Sequence, residues 1–414
     1  MLKQRTFWTD RIEEIWRDTP LISLDGIRQG GKTSLLRTLP DSEYLDCTLP
    51  SVRRLLEQPA GAFRELQGKR VVLDDFQGLG QGGQLLESVV EASDVRVVVA
   101  GSFPTMTFGQ KGSSSALPRS VRISLPPIIT QDMADFEKPD LKHRLLSGGL
   151  PGFFLGNPMT ERDFQDWLDR LWLRDIQERY RIESRQSFQK FVELLLAKSG
   201  TLFEATRLAT PCGISRTTAA KYLSILDAAC VVRVLPPFST RRVTELVSIP
   251  RYYATDTGLI CHRRGWRELR NEDFPQLWRH FVLNEITGRL QSRKIYYWRD
   301  KRGHEVDFVL MRRWMEPVAV VCAWSAEEFD PAGLKAFRYQ YPNGVSYIVS
   351  HDIDTPYSEF IGELELRFVS LAGLIAELAP FAGKEQYDQE KEIQGGKICL
   401  TSEPPLPVLP ATGN

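Results

Sequence analysis

Eight residues near the start carry the most specific chemistry in the chain. Gly26-Ile27-Arg28-Gln29-Gly30-Gly31-Lys32-Thr33 follows the pattern G-x-x-x-x-G-K-[ST], behind an apolar stretch and ahead of a helix-forming one. Glycines at this spacing let the backbone wrap an anion and turn its N–H groups inward. Gly26, Arg28, Gln29, Gly30, Gly31, Lys32, Thr33 and Ser34 are the expected nucleotide-binding set. Lys32 is expected to reach the β- and γ-phosphates, and the Thr33 hydroxyl to bind Mg²⁺. ATP and Mg²⁺ are the cofactors this pattern predicts.

A second acidic element follows about forty residues later in Val71-Val72-Leu73-Asp74-Asp75. A buried strand ending in a carboxylate can serve the Mg²⁺ shell, and Asp74 takes that role. Asp75 stands where a glutamate would polarise the attacking water. Aspartate is one methylene shorter, and a misplacement of about 1 Å can cost about a hundredfold in rate. Slow hydrolysis, or binding without hydrolysis, is therefore expected. Ser102, after the apolar run Val97–Ala100, is a candidate sensor of the γ-phosphate. Arg119 is a candidate arginine finger, in cis or from a neighbouring subunit. A turn serine and a surface arginine are the plain alternatives for these two.

The elements that must position these residues read as alternating strands and helices. Candidate strands are Leu21–Leu24, Tyr44–Cys47, Val71–Leu73, Val97–Ala100 and Val121–Leu125, with helices such as Lys32–Leu39 and Gly83–Glu91 between them. This alternation predicts an α/β fold with a parallel sheet covered by helices. The domain order expected is a P-loop core over 1–130, a helical connector over 131–185, and a helix-rich unit with a strand pair over 186–260. A mixed α/β domain over 261–383 and a proline-rich tail over 384–414 follow, the tail expected to be disordered.

Composition narrows the class. The 414 residues are 42% hydrophobic and 26% charged, with 53 basic against 53 acidic residues. Such balance excludes a global field that attracts nucleic acid, though not a local basic patch. The six cysteines form no C-x-x-C pair and the five histidines are dispersed. Reduced thiols are expected, and no zinc site is proposed. No apolar run has the length of a signal peptide or a membrane span, so a cytoplasmic protein with no membrane partner is expected. Leu409-Pro410-Ala411-Thr412-Gly413 spells a sortase motif without the apolar segment and basic tail that motif requires, and is read as chance or a tag.

Several motifs, in order, carry a resemblance. The loop Gly26–Leu36, Asp74-Asp75-Phe76-Gln77, Ala100-Gly101-Ser102, Leu117-Pro118-Arg119 and Gly148-Gly149-Leu150-Pro151 are the first five. Arg174-Asp175-Ile176, Asp256-Thr257-Gly258-Leu259, Tyr297-Trp298-Arg299-Asp300 and His304-Glu305-Val306-Asp307 follow. Together they resemble the AAA-type ATPases that carry a C-terminal domain of unknown function 4143, over roughly residues 10 to 380. That resemblance implies an AAA-type P-loop core, a winged helix-turn-helix and a restriction-endonuclease-like α/β domain.

The middle unit fits its part. Ser215 can cap a helix in which Ala219, Leu223 and Leu226 make an apolar face. A helix over Phe203–Leu208 and the turn Pro211-Cys212-Gly213 precede it, and strands near Val231–Leu235 and Arg251–Ala254 would form the wing. Arg216, Thr217, Lys221, Arg241 and Arg242 are the candidate DNA contacts, against a purely packing role for the unit.

In the last domain the resemblance implies that nuclease chemistry is lost. Val320 and Cys322 stand where the family pattern places the glutamate and lysine of E-x-K, and Arg279 replaces an acidic residue on the first helix. Asp307 survives, and Glu285 remains farther along that helix. One aspartate is too little for a two-metal site, so Glu285 and Asp307 are expected to make structural hydrogen bonds or ion pairs. The resulting expectation is a slow Mg²⁺-dependent ATPase switch whose inactive nuclease-like domain binds a protein partner, with a homo-oligomer left open. The alternative is a DNA-binding protein regulated by nucleotide.

Overall fold

The computed structural model describes residues 3–57, 66–76, 95–101, 120–177, 179–180, 182–239, 249–292, 294–311 and 316–379. The expected helix Gly83–Glu91, Ser102, Arg119, Arg241, Arg242 and the tail 384–414 lie outside these residues.

Five strands, β1 (Leu21–Asp25), β2 (Ser42–Asp46), β3 (Arg70–Asp74), β4 (Arg96–Gly101) and β5 (Ser120–Ser124), form a sheet in the order β2-β3-β4-β1-β5. Every pairing in it is parallel. Parallel strands covered on both faces read as continuous apolar runs, and β3 and β4 do so with Val71–Leu73 and Val97–Ala100 all buried. The strand β4 lies between β1, which leads into the glycine loop, and β3, which ends at Asp74. The helix after the loop spans Lys32–Leu36, shorter than the expected Lys32–Leu39. Pro40 disfavours helical geometry at the residue before it, and Thr38 N already turns to Leu35 O at 3.0 Å.

The middle of the chain is helical. The helix expected over Phe203–Leu208 forms instead over Ala205–Cys212, taking in Pro211, and Gly213 ends it at φ 66°. Ser215 Oγ accepts from Thr218 N at 3.0 Å and opens the helix Arg216–Ala228. Its buried face comprises Ala219, Tyr222, Leu223, Ile225 and Leu226, with Tyr222 edge-on to Phe188 and Phe191. The strands β6 (Val232–Leu235) and β7 (Arg251–Ala254) pair antiparallel.

The helix Phe274–Leu290 is buried on nearly every side, the pattern of an element at the centre of a larger body. Gly288 closes against Pro126, where an added Cβ would stand 2.7 Å from Pro126 Cγ. Gln291, just past its end, accepts from Ser124 N at 2.7 Å and so ties the helix to the edge strand β5. At the other end Trp278 Nε1 donates to Val349 O at 3.1 Å. There it meets a six-stranded mixed sheet of β8 (Ile295–Arg299), β9 (Glu305–Met311), β10 (Pro317–Cys322), β11 (Ser346–Val349), β12 (Tyr357–Ile361) and β13 (Leu364–Val369). The order is β12-β13-β11-β10-β9-β8, with the central pairs β10–β11 and β11–β13 parallel.

Candidate nucleotide site

The glycine loop is built by close approach. A Cβ on Gly26 would stand 2.4 Å from Leu125 O, and one on Gly30 would stand 2.9 Å from Ile27 O. Gln29 and Gly31 adopt φ 62° and 92°, a conformation that only Gly takes freely. Gly30 N donates to Ile27 O at 3.0 Å and closes the turn. Behind the loop Arg5, buried, donates to Gly30 O at 3.0 Å, Pro126 O at 3.2 Å and Asp132 Oδ2 at 2.5 Å. Lys32 Nζ donates back to Gly26 O at 2.6 Å and Ile27 O at 3.0 Å, and burial lowers its pKa.

Thr33 and Asp74, distant in sequence, meet: Thr33 Oγ1 donates to Asp74 Oδ2 at 2.7 Å. Tyr44, on the neighbouring strand β2, donates to the same oxygen at 2.6 Å. Asp74 Oδ1 accepts from Asp75 N at 3.0 Å. Asp75 follows β3 at φ 52°, a left-handed position that aspartate tolerates better than most side chains. Burial raises its pKa, with Arg28 acting against that rise.

Arg28 is held from outside the loop. Its Nε and Nη2 both reach the carboxylate of Asp175, the second at 2.6 Å, and the Asp175 side chain is fully buried. Asp175 comes from the π-helical turn Leu171–Ile176. This fork-to-fork pair is the bidentate geometry that arginine suits best. Asp25, at the end of β1, is buried and paired with Arg122 of β5.

Two of the quoted motifs, more than a hundred residues apart, also meet. The Asp256 carboxylate accepts from Gly149 N at 2.6 Å, Leu150 N at 3.1 Å and Leu259 N at 3.1 Å. A Cβ on Gly148 would lie 2.4 Å from Asp256 Oδ1, which explains a glycine pair there. The next residue, Pro151, packs on the loop itself, 3.1 Å from where a Gly31 Cβ would be. Residue patterns alone did not reveal the parts played by Arg5, Tyr44 and Asp175. Each meets its partner only through the tertiary fold, and only Asp175 lay within a quoted motif.

The other candidates fall into two groups. Arg216, Thr217 and Lys221 are exposed together at the start of their helix. In the second sheet, Asp307 accepts from Cys322 N at 2.8 Å and lies 3.0 Å from Arg279 Nε, while Val320 is buried. Glu285 caps a different element, accepting from Thr130 N and Oγ1, both at 2.6 Å. Among the described residues no group of His, Cys, Asp or Glu is placed to hold a metal ion, Cys47, Cys212, Cys230, Cys261 and Cys322 are free thiols, and no helix is long and apolar enough to cross a membrane.

Comparison with known proteins agrees with the order of these parts. Residues 18–134 match the AAA domain family, residues 138–270 a domain of unknown function 8612, and residues 275–359 the domain of unknown function 4143. Uncharacterized proteins of Mycobacterium bovis and Mycobacterium tuberculosis are each 27% identical over 321 residues, covering 74% of this chain and 71% of theirs. The Walker-type ATPase of Pyrococcus abyssi is 17% identical, covering 63% of this chain and 95% of that one, with a TM-score of 0.42. A signal-transduction ATPase with a tetratricopeptide repeat sensor from Pyrococcus horikoshii is 12% identical, covering 68% and 46%, with a TM-score of 0.27. With the glycine loop and the acidic strand in place, the chain carries an AAA domain followed by a domain of unknown function 4143 and is similar to the AAA-type ATPases with that arrangement.

Proposed function

We propose that the chain hydrolyses ATP slowly with Mg²⁺ and works as a nucleotide switch. One observation carries this reading: the Thr33 hydroxyl and the Asp74 carboxylate stand 2.7 Å apart at the mouth of the glycine loop. The residues fit both groups. The close approach at Gly26 and the φ of Gly31 leave a backbone cradle that side chains would fill. A hydroxyl and a carboxylate are hard oxygen donors of the kind Mg²⁺ takes. Bound there, Mg²⁺ would offset the charge of the phosphates.

This chain's residues supply the rest. Lys32 exchanges its loop carbonyls for phosphate oxygens. Gly26, Arg28, Gln29, Gly30, Gly31 and Ser34 line the loop, with Arg28 steadied by Asp175. Asp75 orients the attacking water and takes its proton, and its short side chain keeps the rate low. Ser102 and Arg119 are proposed as sensor and finger. Pro151 rests on Gly31, and Gly149 and Leu150 bond to Asp256, so a shift of the loop is carried into the second half of the chain. There the second sheet, without nuclease activity, binds a protein partner or a second copy.

The test is phosphate release from ATP with and without Mg²⁺, beside hydrogen exchange at 148–151 and 256–259. Turnover absent from Lys32→Ala, with ATP-dependent protection at both segments, supports the switch. Tight ATP binding with neither turnover nor protection would leave the nucleotide as a structural ligand only. A second reading, nucleotide-regulated DNA binding, is favoured by the joint exposure of Arg216, Thr217 and Lys221. It requires DNA affinity that falls with salt and changes with ATP.

A further inference from the structure

A pocket of about 430 Å³ opens between the helix-turn-helix and the second sheet, far in sequence from the glycine loop. Five cationic side chains line it, Lys198, Arg207, Arg251, Arg279 and Arg299, against two acidic ones, Glu204 and Glu305. Asp307, which Arg279 contacts, brings the acids to three and still leaves cations in excess.

The pairing pattern shows where the excess sits. One carboxylate, Glu305, is shared by two guanidiniums: Arg251 Nη2 at 2.6 Å and Arg299 Nη1 at 2.7 Å. Arg279 lies over Asp307 and Arg207 over Glu204, at 3.0 Å and 2.8 Å. The Arg251 side chain is 6% exposed and stacked on Tyr297, and its Nε has no hydrogen-bond acceptor among the described residues. A buried guanidinium that, among the described residues, shares the carboxylate it pairs with and has an unused donor is an incomplete anion site. Arg279 and Arg299 remain 40% and 34% exposed, so a ligand can reach both.

A cation is disfavoured here, because both carboxylates on β9 are already engaged by arginines. We propose that the pocket binds a phosphoryl group, held between Arg279 and Arg299 with Arg251 as the buried positive floor. The ligand chemistry is a phosphate monoester dianion, which forked guanidiniums match in shape and charge. It could come from free phosphate or from the 5′-phosphate end of a nucleic-acid strand, and the pocket has room for a phosphate with part of its attached group. This inference does not depend on the glycine loop's activity.

The experiment uses the full chain carrying Lys32→Ala, which weakens phosphate capture by the loop. A 3′-labelled trinucleotide is titrated by fluorescence anisotropy, with a 5′-phosphate and with a 5′-hydroxyl, and inorganic phosphate is titrated by calorimetry. The phosphorylated strand should bind at least about tenfold tighter than the hydroxyl strand, or inorganic phosphate should bind on its own. The first result assigns the pocket to strand ends, the second to free phosphate. In either case Arg279→Gln and Arg299→Gln should each weaken binding about fivefold or more, while Arg299→Lys keeps most of it. The two exposed positions guard against misfolding of a single variant, and unchanged circular dichroism verifies each. Phosphate affinity equal in the parent and both glutamine variants, or no phosphate preference at all, overturns the proposal.

Discussion

Two strand carboxylates of this molecule invite the same chemistry and have opposite neighbours. Asp74, at the end of β3, receives hydroxyls from Thr33 and Tyr44, donors that a metal ion can displace without leaving a charge behind. Asp307, on β9, receives a backbone N–H and faces the guanidinium of Arg279. A neutral donor leaves a carboxylate able to take a divalent cation, whereas a fixed cation beside it makes that cation unwelcome. The presence of an acid in a strand therefore says less about metal chemistry than the charge next to it.

The sharpest test of this contrast is activity. Lys32→Ala should lower Mg²⁺-dependent phosphate release by about 10²–10³-fold, the usual loss when one preorganised charge leaves a transition state. Asp307→Ala should leave release within about twofold, and neither protein should cut DNA with Mg²⁺ or Mn²⁺. Cleavage lost in Asp307→Ala would overturn the reading of the second sheet as inactive.

The ion pairs of the two sites should also differ in their contribution to stability. Arg28 is 17% exposed and Asp175 fully buried, so Arg28→Ala takes the forked guanidinium from a buried carboxylate and should cost about 3 kcal/mol in urea unfolding. Adding Asp175→Asn should recover much of that loss. Arg279 is 40% exposed and solvent-screened, and Arg279→Gln should cost about 1 kcal/mol or less. Equal costs would mean that the second pair is as closed to water as the first.

Acid should weaken the second region. His280 is buried beside Gly200, which lines the basic pocket, accepting from Ser199 Oγ at 2.7 Å and donating through Nδ1 to Gln276 O at 2.8 Å. Burial lowers its pKa from the ordinary 6.5 to about 4. A depressed folded pKa means stability that is present above 6.5 and lost as pH falls toward 4. The whole loss is about 3 kcal/mol at full shift. His280→Gln should flatten that part of the stability–pH profile, measured by denaturant midpoints from pH 7 to pH 4.

How much of this could be read beforehand follows from locality. The glycine loop, the two acids after it and the Ser215 cap are short-range patterns, and the parallel sheet follows from the spacing of the apolar runs. The replacements at Arg279, Val320 and Cys322 were legible because each departs from a family pattern, and Arg279 does stand beside Asp307. What could not be read is each partner fixed by tertiary packing alone: Asp175 on Arg28, Tyr44 on Asp74, Asp256 under Gly149. No local period encodes a contact across a hundred residues. The helix start at Ala205 was missed for a smaller reason, since Pro211 reads as a breaker yet is accommodated in the last turn.

The smallest expected effect tests the acid beside Asp74. Asp75→Glu should lengthen the reach of the carboxylate and raise hydrolysis several-fold, up to about tenfold. It should do so at some expense to the fold. Asp75 sits at φ 52°, where aspartate is favoured over glutamate, so the longer side chain should cost about 0.5–1 kcal/mol of stability. Burial raises the pKa of Asp75, so hydrolysis should increase with pH through a midpoint above the ordinary aspartate value. Asp75→Asn should remove both the rate and that pH dependence while retaining ATP binding. A glutamate variant no faster than the parent, with the same pH profile, would mean that Asp75 shapes the turn after β3 and that the base lies elsewhere. The contrast between the two sites would then rest on Asp74 alone.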